Sequence, residues 1–236
     1  NLGSVPGCII VKGISGSNSN WMVYHRANTA DPETDYLILN GTDATTDTAS
    51  IWNDTAPTDT EFTVGDQIFV NASGNTYVAY LFAHDAGGFG DDGEQNVISC
   101  GSFTQSSSVN VDVDLGWEPQ WLLLKRTSGT SGTGNWVLLD NMRGFFAPST
   151  SGRDLAANAS DAEGTIAVFL NNNGFRYQST QYASSSTFIY IAIRRGPMKT
   201  PESGTEVFAV DETNGSDVPA FVAGFPIDFA IRSATT

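Results

Sequence analysis

The chain has 236 residues, with 11 Lys and Arg against 26 Asp and Glu, a formal charge of −15. A surface this acidic repels the phosphate backbone that supplies most nonspecific affinity, so no nucleic-acid partner is expected. Hydrophobic residues make up 40%, enough for a packed core. No apolar run approaches the roughly 20 residues of a membrane helix, so no membrane insertion is expected.

In chain order, the opening NLGSVPG at 1–7 has no basic region and no long apolar stretch, and does not read as a signal peptide. PGCIIVK at 6–12, NWMV at 20–23 and TYVAYLFA at 76–83 follow, with apolar and β-branched residues clustered between Gly, Ser and Asn. Further strands are predicted over 97–104, 109–115, 166–170 and 174–178, and in WLLLKR at 121–126, WVLLD at 136–140 and FIYIAIR at 188–194. NNNG at 171–174 supplies a tight turn that tolerates positive φ. Only DLAANASDAE at 154–163 suggests a short helical turn. Cys8 and Cys100 are too few for a disulfide framework and read as buried thiols.

The chain repeats itself. PGCIIVK at 6–12 matches PQWLLLK at 119–125, and NWMV at 20 matches NWVL at 135. NGTDA at 40 answers NASDA at 158, and TYVAYLF at 76 answers TFIYIAI at 187. A further copy opens in GFPIDFAI at 224–231 and stops, which suggests a segment of a longer multi-unit chain. The organisation predicted is a first unit at 1–96, lacking its leading strand and ending in a linker at 84–96. A complete second unit follows at 97–200, then a linker and the opening strands of a third at 201–236. Roughly eight short strands per complete unit imply an all-β fold of tandem antiparallel β-sandwich units.

Few motifs carry chemistry. GFGDDG at 88–93 spells a dinucleotide fingerprint, but a strand-like segment follows it where a helix is required, and its aspartates repel phosphate. Asp85, Asp91, Asp92 and Glu94 are the candidate calcium ligands, since hard cations take clustered oxygens, although the spacing fits no EF-hand. No other cofactor is expected. The scattered glutamates and the two histidines, His25 and His84, give no catalytic pair or triad, so no catalytic residue is assigned. Trp21 and Trp136 are repeat partners, as are Lys12 and Lys125, which favours a role in the core. Trp52, Trp117 and Trp121 are left as candidates for stacking on a sugar ring.

WNDTAP at 52, FTVG at 62, TYVAYLFA at 76, GSFT at 101, GWEPQWLLLKR at 116, DNMRG at 140 and YIAIRRGPMKTP at 190 together resemble repeated domains of virion proteins from marine tailed bacteriophages. The resemblance runs over nearly the whole chain and carries no catalytic residue. It implies a jelly-roll fold of the concanavalin or laminin-G kind and a structural role in a tail fibre or other appendage. The location implied is the virion, assembled in the bacterial cytoplasm and then extracellular. Partners would be other virion subunits, with homo-oligomerisation, trimeric if a fibre, and a host-surface glycan. A lectin-like glycan-binding module is the alternative, and a polysaccharide hydrolase a third.

Overall fold

The computed structural model describes residues 2–16, 20–106, 110–128, 134–146, 152–178, 185–195, 203–206 and 208–210. By its contacts the chain divides into Asn1–Pro197 and Met198–Thr236. In the second part Gly204–Glu206 forms a 3-10 turn, and the strands expected at 224–231 lie outside the described residues.

The first part is all-β and antiparallel. Strands β1 (Pro6–Gly13), β2 (Trp21–His25), β3 (Asp35–Ile38), β4 (Thr46–Asp47) and β5 (Tyr77–Ala83) form a sheet in the order β4-β3-β2-β1-β5. Two single-turn helices, α1 (Ala49–Trp52) and α2 (Ile68–Asn71), precede β5. Thr48 caps α1 by accepting the Ser50 amide, and Asn53 ends it in the left-handed region at φ 55°.

The second half supplies β6 (Ile98–Gln105), β7 (Val111–Asp114), β8 (Pro119–Ser128), β9 (Trp136–Asp140), β10 (Gly152–Ala156), β11 (Gly164–Ile166), β12 (Val168–Asn171), β13 (Gly174–Tyr177) and β14 (Ser186–Arg194). Six of them form a sheet in the order β11-β10-β9-β8-β14-β6, and three form a smaller one, β12-β13-β7.

The repeat extends to the pairing register. Lys12 sits opposite Val78 and Ile10 opposite Tyr80, as Lys125 sits opposite Ile189 and Leu123 opposite Ile191. Each register slips by one residue at the same place, just after Pro6 and just after Pro119. The Trp21 amide donates to Asn40 Oδ1 at 2.9 Å, and the Trp136 amide to Asn158 Oδ1 at 2.8 Å. The same two side chains donate to Asn20 and Asn135, at 3.2 and 3.0 Å. Strand order β4-β3-β2-β1-β5 thus maps onto β11-β10-β9-β8-β14, with β6 added at the end.

Three cores separate four layers. Between the two large sheets lies a seam of Ile10, Val23, Leu37, Leu123, Trp136 and Ile189. The outer face of the five-stranded sheet is covered by α1, α2 and nearby loops around Ile9, Met22, Tyr24, Ile51, Trp52 and Val70. The outer face of the six-stranded sheet is covered by the three-stranded one, around Phe103, Leu122, Leu139, Phe175, Tyr177 and Phe188. Strands β1, β8 and β14 are covered on both faces, which is why they read as nearly continuous apolar runs. Strand β7, VDVD, faces solvent on one side and alternates. There the Arg176 guanidinium donates to both oxygens of Asp112, at 2.6 and 2.7 Å.

The stretches read as units at 1–96 and 97–200 each have an outer core of their own and share the seam, so the two large sheets lie in one compact body. The strand expected at 166–170 is two strands, broken at Ala167, where the chain crosses from the six-stranded sheet to the three-stranded one. The segment at 154–163 begins as the end of β10 and then holds one short turn, closed by the Ala159 amide on the Ala156 carbonyl at 3.2 Å. Asn172 and Asn173 turn without positive φ; the constraint falls on Gly174, where a Cβ would collide with the Val113 carbonyl.

Trp136 is 1% exposed whereas its repeat partner Trp21 is only part-buried. Trp136→Ala is expected to cost about 3–5 kcal/mol in urea denaturation, and Trp21→Ala less than half of that. Equal losses would show that the two sites are packed alike.

Candidate functional site

The polar groups of the seam gather at two places. At one, Lys125 on β8 and Trp136 on β9 reach out of the six-stranded sheet to the turn after β3. Trp136 Nε1 donates to the Ile38 carbonyl at 2.9 Å, and Lys125 Nζ donates to the carbonyls of Thr42 at 3.2 Å and Gly134 at 2.7 Å. The Lys125 side chain is wholly buried, and desolvation pushes its pKa down to about 8, against the pull of Asp43.

At the other, both histidines and both cysteines converge. His25, 1% exposed on β2, bridges the sheets, its Nε2–H donating to the Tyr190 carbonyl on β14 at 3.0 Å. Its Nδ1 accepts the Ala27 amide at 3.2 Å, so the neutral ring is satisfied at both nitrogens. Burial pushes its pKa down to about 4. His84 Nδ1 accepts the Cys100 amide at 3.1 Å, and desolvation lowers its pKa despite Asp85 beside it.

Cys8 and Cys100 are free and fully buried, as their apolar surroundings imply. Desolvation raises both thiols, Cys100 to about 12, so neither forms a nucleophilic thiolate near neutrality. Gly7 is needed at this crossing: a Cβ there would lie 2.6 Å from His84 Cβ and 2.8 Å from Cys100 Cβ.

The sugar-stacking candidates are placed differently from the expectation. Trp52 is 2% exposed against the five-stranded sheet, edge-on to Tyr24, and Trp117 is 6% exposed in the core beneath the three-stranded sheet. Neither presents a ring face to a ligand. Trp121 is part-buried against the seam.

The candidate calcium ligands are not drawn together: Asp85, Asp91, Asp92 and Glu94 are exposed, and no group of three such ligands forms among the described residues. GFGDDG folds back on itself through the Gly88 amide to the Gly93 carbonyl at 2.7 Å, then leads into β6.

Two depressions among the described residues have contrasting linings. A polar recess of about 200 Å³ is lined by Arg126, Asn135, Asp154 and Tyr177, and burial raises the Asp154 carboxyl. An apolar groove of about 390 Å³ is lined by Leu2, Leu81, Ala83, Phe89, Val97 and Ile98, beside the outer edge of β5. Sequence reading passed over this edge, although the repeat alignment already sets Tyr80 in the place of Ile191.

One family model, described as a domain of unknown function (DUF7483), matches residues 1–197. The chain belongs to this family. Its span coincides with the body Asn1–Pro197, so the family's domain comprises both repeats and the seam between them. No curated protein and no solved structure matches the chain.

The His25 shift fixes a pH dependence. Its folded pKa lies below the ordinary value near 6.5, so the unfolded chain binds the proton more tightly. The resulting stability is fully present above about pH 6.5 and is lost as pH falls through about 4, some 3 kcal/mol in all. Urea denaturation of His25→Gln is expected to fall less steeply between these limits than that of the parent chain; parallel curves would remove His25 from the acid transition.

Proposed function

We propose that this protein is a structural, non-enzymatic component of a tailed-bacteriophage virion, part of a tail fibre or other appendage built from tandem β-units. The observation that carries the reading is the duplicated sheet, alike in strand order, register, bulge and asparagine hydrogen bonds. A repeat kept at this level of detail belongs to a framework, since a single specialised site would need only one copy of its residues. The resemblance to phage appendage domains supports the same reading. Buried thiols with raised pKa suit assembly in a reducing cytoplasm followed by exposure outside the cell.

The six- and three-stranded sheets are read as a jelly-roll sandwich of the concanavalin or laminin-G kind. Strands β6, β8–β11 and β14 form one face, and β7, β12 and β13 the other. In the first half the same framework carries α1 and α2 where the second has its three-stranded sheet.

Antibodies raised against residues 1–197 test the assignment on purified particles in negative stain. Labelling of an appendage is the expected result, and particles free of both label and the polypeptide would overturn it.

A further inference from the structure

The repeat gives every position in the five-stranded sheet a counterpart in the six-stranded one, and their burial agrees poorly at one place. Tyr80 is 46% exposed and its counterpart Ile191 1%; Leu81 is 37% exposed and its counterpart Ala192 0%. Val78 is half-buried, while Ile189 is 1% exposed. All three lie on β5. The corresponding strand β14 has β6 along its far side, whereas β5 ends its sheet among the described residues.

Hydrogen-bond phase shows what the edge offers. The Ile14 amide donates to the Thr76 carbonyl at 2.9 Å, so the pairs Lys12–Val78 and Ile10–Tyr80, two and four residues on, also exchange backbone hydrogen bonds. The amides and carbonyls of Ala79 and Leu81 therefore point away from β1. Their counterparts Tyr190 and Ala192 stand opposite Gly101 and Ser99 of β6. The pairing there has the same phase, set by the Arg194 amide on the Val97 carbonyl at 2.8 Å.

Of the other edges of the large sheets, two are short and the third is closed at its start. Strands β4 and β11 have two and three residues. The start of the β6 outer edge is closed by the Asp85 amide on the Ile98 carbonyl at 2.9 Å and by His84 on the Cys100 amide. Strand β5 is seven residues long and bears exposed Tyr80 and Leu81 beside the apolar groove. A long apolar edge of this kind is a template for strand addition.

We infer that the open edge of β5 is a strand-acceptor site, filled by an antiparallel strand of the β6 type from a further copy of the repeat. The incoming strand would bond to Ala79 and Leu81 and cover Tyr80 and the groove, giving the sheet the sixth strand its counterpart has. The inference rests on the internal repeat and not on the virion assignment, so either can fail alone.

Hydrogen exchange on the full chain, with a synthetic peptide of residues 97–106 carrying Cys100→Ser, tests it. Without peptide, the Ala79 and Leu81 amides should exchange freely while those of Val78 and Tyr80 are protected. At millimolar peptide, Ala79 and Leu81 should slow by at least about 100-fold. A scrambled peptide should leave them unchanged, as should a peptide carrying Gly101→Pro, which lacks an amide needed for the ladder.

Three results would overturn the inference. Slow exchange at Ala79 and Leu81 in the peptide-free monomer would mean that the chain covers its own edge. Protection that grows with protein concentration alone would make β5 of a second molecule the occupant. No response to the parent peptide, or an equal response to the scrambled one, would leave no β6-type site.

Discussion

The burial of one sheet face against the other along the seam is the constraint from which the rest of the architecture follows. Each large sheet is apolar on both sides, because its central strands carry runs such as CIIV in β1 and WLLL in β8. Neither sheet could stand alone with two such faces in water. Packing the halves against each other covers one face of each and leaves the other to be covered locally. At roughly 25 cal/mol per Å² of apolar surface, this burial is the leading favourable contribution the seam makes. Its polar groups are then obliged to find partners within it. That is why Trp136 and Lys125 bond to carbonyls of the opposite half, and why His25 bonds to Tyr190.

The two outer faces meet the same demand with different material. In the second half, the three-stranded sheet brings aromatic residues of β13 over the six-stranded one, where Tyr177 packs on Phe188 at 4.8 Å and Phe175 meets Tyr190 edge-on at 5.4 Å. In the first half, two helical turns and their loops bring Ile51, Trp52 and Val70 to the equivalent face. The strand framework has thus been kept while its cover has changed. A large apolar side chain anchored to the sheet is the shared requirement, and the backbone that delivers it is free to vary.

The framework was legible because pairing depends on local pattern. The landmarks at Pro6 and Pro119, Trp21 and Trp136, and Asn40 and Asn158 give the offsets that the registers later display. What escaped the sequence depends on layers rather than on strands. The apolar run at 166–170 carries no mark of the crossing at Ala167, since Ile166 before it and Val168 and Leu170 after it all pack against one core. Trp52 and Trp117 looked available for a ligand because no repeat partner tied them to the core. Their burial comes from the differing outer layers, the part of the molecule where the two halves do not match. The acidic residues at 85–94 were close in sequence, but closeness along a Gly-rich loop does not aim carboxylates at one point.

Lys12 and Lys125 show how far position governs chemistry in this fold. They are the same residue on the same strand of the same repeat, each opposite a tryptophan of the neighbouring strand. Lys125 lies under the turn after β3, loses its water, bonds to two carbonyls and has its pKa driven down to about 8. Lys12 keeps part of its hydration and rests its ammonium 5.6 Å from the centre of the Trp21 ring, which itself stacks on exposed Tyr80. Two identical halves packed about a strict twofold would treat both lysines alike. Here the two are not treated alike: Lys125 is fully buried and Lys12 part-buried. The part-buried Lys12 and Trp21 and the exposed Tyr80 lie on the adjacent strands β1, β2 and β5, so the difference between the halves runs out to the β5 edge.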